Sequence, residues 1–140
     1  MFQVPINYAL VFAAALADIV IGMAWYGPLF GKKWMKLVGM TDKKMEEGKK
    51  DMNKAYTASF VASVITAYVL AHFLWFTAPA TPTLLIGIKT GIWVWLGFVV
   101  TNSLSKYFWT PDKKPLELYY LDNGYRLISL VVMGIILSLY

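Results

Sequence analysis

The chain has 140 residues, 59% of them hydrophobic and 15% charged, with no cysteine, one histidine and a formal net charge of +5. A water-soluble domain carries about 45–50% apolar and about 25% charged residues, and at this length its core is too small to hide the surplus. An aromatic content of 16% excludes a solvated, disordered chain. The missing cysteines exclude a disulfide framework, a thiol nucleophile and a thiolate metal site, and one histidine argues against an all-protein zinc site. The positive charge does not point to nucleic acid. Twelve lysines and one arginine lie mostly in two blocks beside long apolar runs, which is how a membrane protein distributes charge.

In chain order, four segments reach the roughly 20 mostly apolar residues that cross a bilayer. The first runs over about 8–27, with Asp18 its only charge. Ala15-Leu16-Ala17 spells a small-residue cleavage site, but no basic residue precedes it and apolar sequence continues to Trp25, so the segment reads as a membrane helix. The second, about 55–78, has no formal charge, and the third, about 84–105, carries only Lys89 near its start. The fourth, about 118–140, is the least clean, because Asp122 and Arg126 fall in its first half and Glu117 just before it. With its inner boundary near Tyr120, Arg126 lies about 9 Å inside the membrane.

The connections sort by charge. Lys32, Lys33, Lys36, Lys43, Lys44, Lys49, Lys50 and Lys54 separate the first two segments, and Lys106, Lys113 and Lys114 separate the last two. The N-terminal stub, the Pro79–Thr83 connection and the C-terminus hold no Lys or Arg. Positive loops stay cytoplasmic, so both termini are expected outside a cytoplasmic (inner) membrane. The expected fold is an all-α integral membrane four-helix bundle. Between its first two spans lies a short amphipathic interfacial helix over about 29–39, with Phe30, Trp34, Leu37 and Val38 at helical spacing and Gly39 as its stop. Thr41–Lys54 reads as a solvated turn or polar helix, weakened at Gly48. Trp25-Tyr26-Gly27-Pro28 before Lys32-Lys33 echoes Phe108-Trp109-Thr110-Pro111 before Lys113-Lys114, the mark of a duplicated hairpin or simply of two spans leaving the inner face.

Inside the membrane, small residues recur every four positions at Ala55, Ser59, Ser63, Ala67 and Ala71. Gly87 and Gly91 form a GxxxG, and Ala14, Asp18 and Gly22 a similar stripe. Such stripes let helix backbones approach, within one bundle or between protomers. Asp18 lies near the midplane, where an aspartate costs about 2.5–3.5 kcal/mol and needs a partner. Arg126 is the expected partner. Tyr119, Asp122, Arg126 and Ser129 step by three or four residues, and that face is expected to point toward Asp18. Such a site is either a buried pair that fixes helix register or a proton relay in which Asp18 loads and unloads a proton. Asn7 and Asn102 read as interhelical hydrogen-bond partners, and His72 and Lys89 as residues that snorkel to the outer boundary.

Lys32, Lys33 and Lys36 are topology signals first and contacts for anionic lipid headgroups second. No catalytic triad, paired carboxylates, metal-ligand spacing or phosphate loop is present, so no enzyme, cofactor or metal is expected. The chain reads as a homo-oligomer or an accessory subunit of a membrane complex. The alternative is a small proton-coupled transporter or channel using Asp18. Trp25-Tyr26-Gly27-Pro28-Leu29-Phe30-Gly31-Lys32 with Trp34, Trp95-Leu96-Gly97-Phe98, and Leu121-Asp122-Asn123-Gly124-Tyr125-Arg126-Leu127 with Met133-Gly134 together resemble the small prokaryotic membrane proteins of domain-of-unknown-function family 1761. That resemblance implies a four-helix inner-membrane protein and brings no activity with it. Small multidrug exporters also carry a carboxylate in the first of four helices, but their aromatic motifs are absent here.

Overall fold

The computed structural model describes residues 3–79 and 81–139, all helix and connecting coil with no strand among them. Helix α1 (Tyr8–Ala24) starts on Asn7, whose side-chain oxygen accepts from the Leu10 amide at 3.2 Å. Asn7 is therefore a helix cap and not the interhelical partner expected of it; its short amide side chain satisfies a first-turn N–H that would otherwise be orphaned. The helix continues into a π turn, Trp25–Leu29, broken at Gly27 (φ −111°, ψ −105°) just before Pro28. A proline in a helix interior removes a hydrogen bond and crowds the preceding turn, and the chain bends there into α2 (Gly31–Val38).

Gly39 ends α2 in the left-handed region at φ +71°. A side chain pays about 1–2 kcal/mol for that conformation. Gly39→Ala is expected to loosen this cap, with amide exchange at Gly39 and Met40 about fivefold faster. Unchanged exchange would mean that the left-handed cap does not hold the helix end. Thr41 caps α3 (Asp42–Lys49) by accepting from the Lys44 amide, and the helix stops one residue after Gly48. Then follow α4 (Met52–Thr77), α5 (Leu84–Val94), a π segment over Trp95–Val100, α6 (Thr101–Trp109) and α7 (Leu116–Leu137). Four continuous stretches, Tyr8–Leu29, Met52–Thr77, Leu84–Trp109 and Leu116–Leu137, are long and apolar enough to cross a membrane. The expected end of the fourth span, Tyr140, lies outside the described residues.

The last of these helices is the hub. Helix α7 packs on α5, α1 and α4, and α1 also packs on α4. In the apolar stretch of α7, 39% of residues are buried, against 17–22% in the other three. The long helix of lowest mean hydropathy is thus the most enclosed, because Asp122, Asn123 and Ser129 find partners in the bundle and not in lipid. Ala14, Ala15, Ala67, Leu70, Leu74 and Met133 form the tightest part of the core. Gly87 and Gly134 face each other so closely that a Cβ on either would collide with the other's carbonyl, and a Cβ on Gly91 would stand 2.6 Å from the Leu130 oxygen.

Helix α2 does not give its whole apolar side to surroundings. Trp34, Leu37 and Val38 are half-buried, and Trp34 meets the Tyr26 ring edge-on at 5.8 Å. The sequence echo between the two lysine-flanked ends is not repeated in three dimensions. The first passes through the π turn straight into a helix, whereas α6 closes at Trp109 into extended backbone at Thr110 and no helix intervenes before α7.

Candidate functional site

Asp18 is 3% exposed and sits where α1, α4 and α7 meet. Three hydroxyls donate to its carboxylate: Ser63 of α4 to Oδ2, and Tyr125 (2.6 Å) and Ser129 of α7 to Oδ1. Each arrives for a local reason. Tyr125 and Ser129 are one turn apart on the same face of α7, and Gly22, one turn below Asp18 on α1, leaves room for the phenol, since a Cβ there would sit 3.2 Å from the Tyr125 hydroxyl. Ser63 is the small residue in the α4 stripe that lies at Asp18's level. All three donors are neutral. They satisfy the lone pairs of the carboxylate and contribute no opposite charge.

The expected pairing of Asp18 with Arg126 is not what the structure contains. Arg126 is exposed and its guanidinium stacks over the Tyr125 ring, 5.0 Å from the centroid. Successive helical residues are turned by about 100°, so once Tyr125 points at Asp18 its neighbour points away. The expected face of Tyr119, Asp122, Arg126 and Ser129 splits for the same reason. Ser129 goes to Asp18, while half-buried Asp122 accepts from the Tyr26 hydroxyl at 2.7 Å. Tyr26 and Tyr125 meet edge-to-face at 5.3 Å, so two tyrosine–aspartate pairs stand back to back.

A second polar cluster braces the third span. The Trp95 indole donates to the Asn123 carbonyl at 2.8 Å, and buried Asn123 bonds Ser103 and the Tyr119 carbonyl. Trp25 donates likewise to the Leu121 carbonyl at 3.2 Å. A buried indole or phenol needs a partner for its polar atom, and that is the signal by which Tyr26, Trp95 and Tyr125 are found as site residues beyond the charged ones.

Of the small residues, Gly22, Ser63, Ala67, Gly87 and Gly91 are spent on contacts inside this bundle, whereas Ser59 and Ala55 stay exposed. Asn102 and Lys89 are exposed, and His72 bonds the Tyr68 carbonyl one turn back at 2.9 Å. Lys32, Lys33 and Lys36 are exposed on α2, with Lys33 at 3.3 Å from Glu117 of α7. No group of three metal-ligating side chains occurs among the described residues.

A carboxylate enclosed by hydroxyls from two other helices can do two things. It can hold three spans in one register, and it can exchange a proton with its neighbours. Fold and site together define a class: a helical bundle with four helices of membrane-crossing length, tied at mid-depth by a hydroxyl-caged aspartate. Within that class, the chain belongs to the family described as protein of unknown function (DUF1761), whose model matches residues 9–138 and so covers all four long helices. No curated protein and no solved structure matches it.

Proposed function

We propose that this protein is a non-catalytic bundle of a cytoplasmic membrane that works as a homo-oligomer or as an accessory subunit of a larger membrane complex. The observation that carries this reading is Asp18, the one fully buried carboxylate among the described residues, which is wholly committed to three internal hydroxyls. Such a group serves as a register pin between helices. Sites for a neighbour are sought on the bilayer-facing surface, where Ala55 and Ser59 of α4 are uncovered. The charge bias supports a position of the lysine-rich loops and α2 at the inner headgroup layer, against anionic lipids.

Mild solubilisation and native mass spectrometry test the reading. The expected result is a defined oligomer of this chain or a stoichiometric complex with other chains; an isolated monomer throughout would overturn it. Sidedness is read separately. Because the chain has no cysteine, Glu47→Cys and Thr81→Cys give clean single-thiol variants. Glu47→Cys should be shielded from an impermeant maleimide in intact cells and Thr81→Cys labelled.

A second reading has its own observation. The back-to-back pairs Asp122–Tyr26 and Tyr125–Asp18 line up exchangeable protons from the inner end of α7 to mid-depth. A proton channel at Asp18, or a transporter with an uncoupled proton leak there, would acidify proteoliposomes under an inside-negative voltage, and Asp18→Asn would abolish that flux. The bundle reading expects no flux above protein-free vesicles.

A further inference from the structure

A cleft of about 480 Å³ opens between α2 and the first turn of α7, lined by Lys32, Lys33, Lys36, Leu37 and Glu117. Two ties hold its walls together. Glu117 Oε2 lies 3.3 Å from Lys33 Nζ, and Lys114 Nζ donates to the Val38 carbonyl at 3.3 Å, which fastens the C-terminal end of α2 to the segment before α7. Lys36 follows Lys32 by four residues and Lys33 by three, so three ammonium groups crowd one side of a two-turn helix. Like charges at this spacing destabilise a helix. One carboxylate answers three cations, and the cleft keeps a net charge deficit that only an outside anion fills.

Glu117 has the position of a displaceable stand-in. It lies in the first turn of α7, where the helix dipole favours a negative side chain whether or not Lys33 is near. It can release Lys33 without becoming an orphaned charge. The surroundings of the cleft are apolar as well as basic. Leu37 lines it, and Leu29 and Phe30, at the entry to α2, are exposed. A free inorganic anion has no use for that surface, whereas a glycerol backbone and acyl chains do.

We propose that this cleft binds the phosphate of an anionic membrane lipid, with Lys32, Lys33 and Lys36 on the phosphate oxygens and Glu117 as the internal anion that the lipid displaces. The proposal rests on the reading that α2 lies at the headgroup layer.

The test uses the full chain in mild detergent, titrated with dioctanoyl phosphatidylglycerol, dioctanoyl phosphatidylcholine and inorganic phosphate, with binding read by native mass spectrometry and by the shift in thermal midpoint. Phosphatidylglycerol should bind at least tenfold more tightly than phosphatidylcholine. Lys32→Gln with Lys36→Gln should weaken it about thirtyfold, since each lysine near an anionic surface contributes roughly fivefold. Glu117→Gln should tighten it about two- to fivefold, the range of an exposed ion pair removed from competition. These three positions are exposed, so the melting of the lipid-free variants should match the parent, and Glu117→Gln gains affinity where a misfolded variant would lose it.

Equal affinity for the two lipids, or no response to the lysine and glutamate changes, would overturn the site. Inorganic phosphate competing as tightly as phosphatidylglycerol would overturn the lipid as its source. Detergent has no sides, so this result is independent of the thiol labelling that tests orientation. A cleft that fails here while Glu47→Cys is shielded in cells leaves the topology standing, and the reverse leaves the cleft standing.

Discussion

Asp18→Ala is expected to destabilise the folded bundle by about 2 kcal/mol, and the loss should couple to Tyr125 and not to Arg126. Two effects compete. A mid-membrane aspartate costs about 2.5–3.5 kcal/mol on insertion, which its removal would return. In a detergent-unfolded chain, however, the first span stays in the micelle with Asp18 in it, so both states carry that cost and it largely cancels from the folding difference. What remains is the loss of three hydroxyl donors' common acceptor, at about 0.6 kcal/mol each on average and up to about 1.7 in membranes. Asp18→Asn keeps an acceptor oxygen and should cost less than about 1 kcal/mol.

A double-mutant cycle separates the partners. Asp18→Ala with Tyr125→Phe should show coupling of about 1 kcal/mol, whereas Asp18→Ala with Arg126→Gln should add to within about 0.5 kcal/mol. Coupling between Asp18 and Arg126 above that level would mean that the arginine leaves the Tyr125 ring to pair with the carboxylate, and the site as described would be wrong.

Placing a methyl group at Gly87 or Gly134 should be the most damaging conservative change in the molecule. A Cβ at either position would strike the other's carbonyl, which is backbone and cannot swing aside as a flexible side chain can. Helices α5 and α7 must then separate along their length, at about 1–3 kcal/mol per substitution. The Gly87→Ala/Gly134→Ala pair should cost less than the sum of its parts, because the first methyl has already moved the helices apart. Gly97→Ala supplies the control. Nothing lies within 4 Å of its added Cβ, and the change should be neutral or slightly stabilising. Equal effects at Gly97 and Gly87, measured by thermal melting in detergent, would show that the α5–α7 contact is looser than it stands here.

The four long helices were legible because bilayer length and hydropathy act on whole segments, so errors at single residues average out. Gly39 and Gly48 were legible for the opposite reason: each acts on the backbone at one place. The partner of Asp18 was not legible from charge alone. Coulomb reasoning selects Arg126, the only arginine in the chain, but a difference of one residue is about 100° of helix rotation, and only packing decides whether residue 125 or 126 faces inward. Gly22 contributes to it, since a Cβ there would stand 3.2 Å from the Tyr125 hydroxyl, and a charge count cannot register an absent side chain. The small-residue stripe of α4 divides in the same way. Ser63 and Ala67 are covered while Ala55 and Ser59 are not, since α4 meets its neighbours along only part of its length. The two π segments have no clear mark in the hydrophobic pattern beyond Gly27-Pro28 in the first.

Because the hub helix follows the other three in the chain, assembly is ordered in time. During synthesis, N-terminal parts emerge first. Span one enters the bilayer with Asp18 and meets Ser63 when α4 follows, but two of its three hydroxyl partners, Tyr125 and Ser129, arrive only with α7. Gly87 and Gly91 likewise present a bare surface until Leu130 and Gly134 come to cover it. Every nascent copy therefore passes through a stage with an incompletely satisfied carboxylate and an open glycine face. A ribosome stalled before α7 would leave that stage exposed to membrane quality control, and release of α7 would be the step that ends its vulnerability.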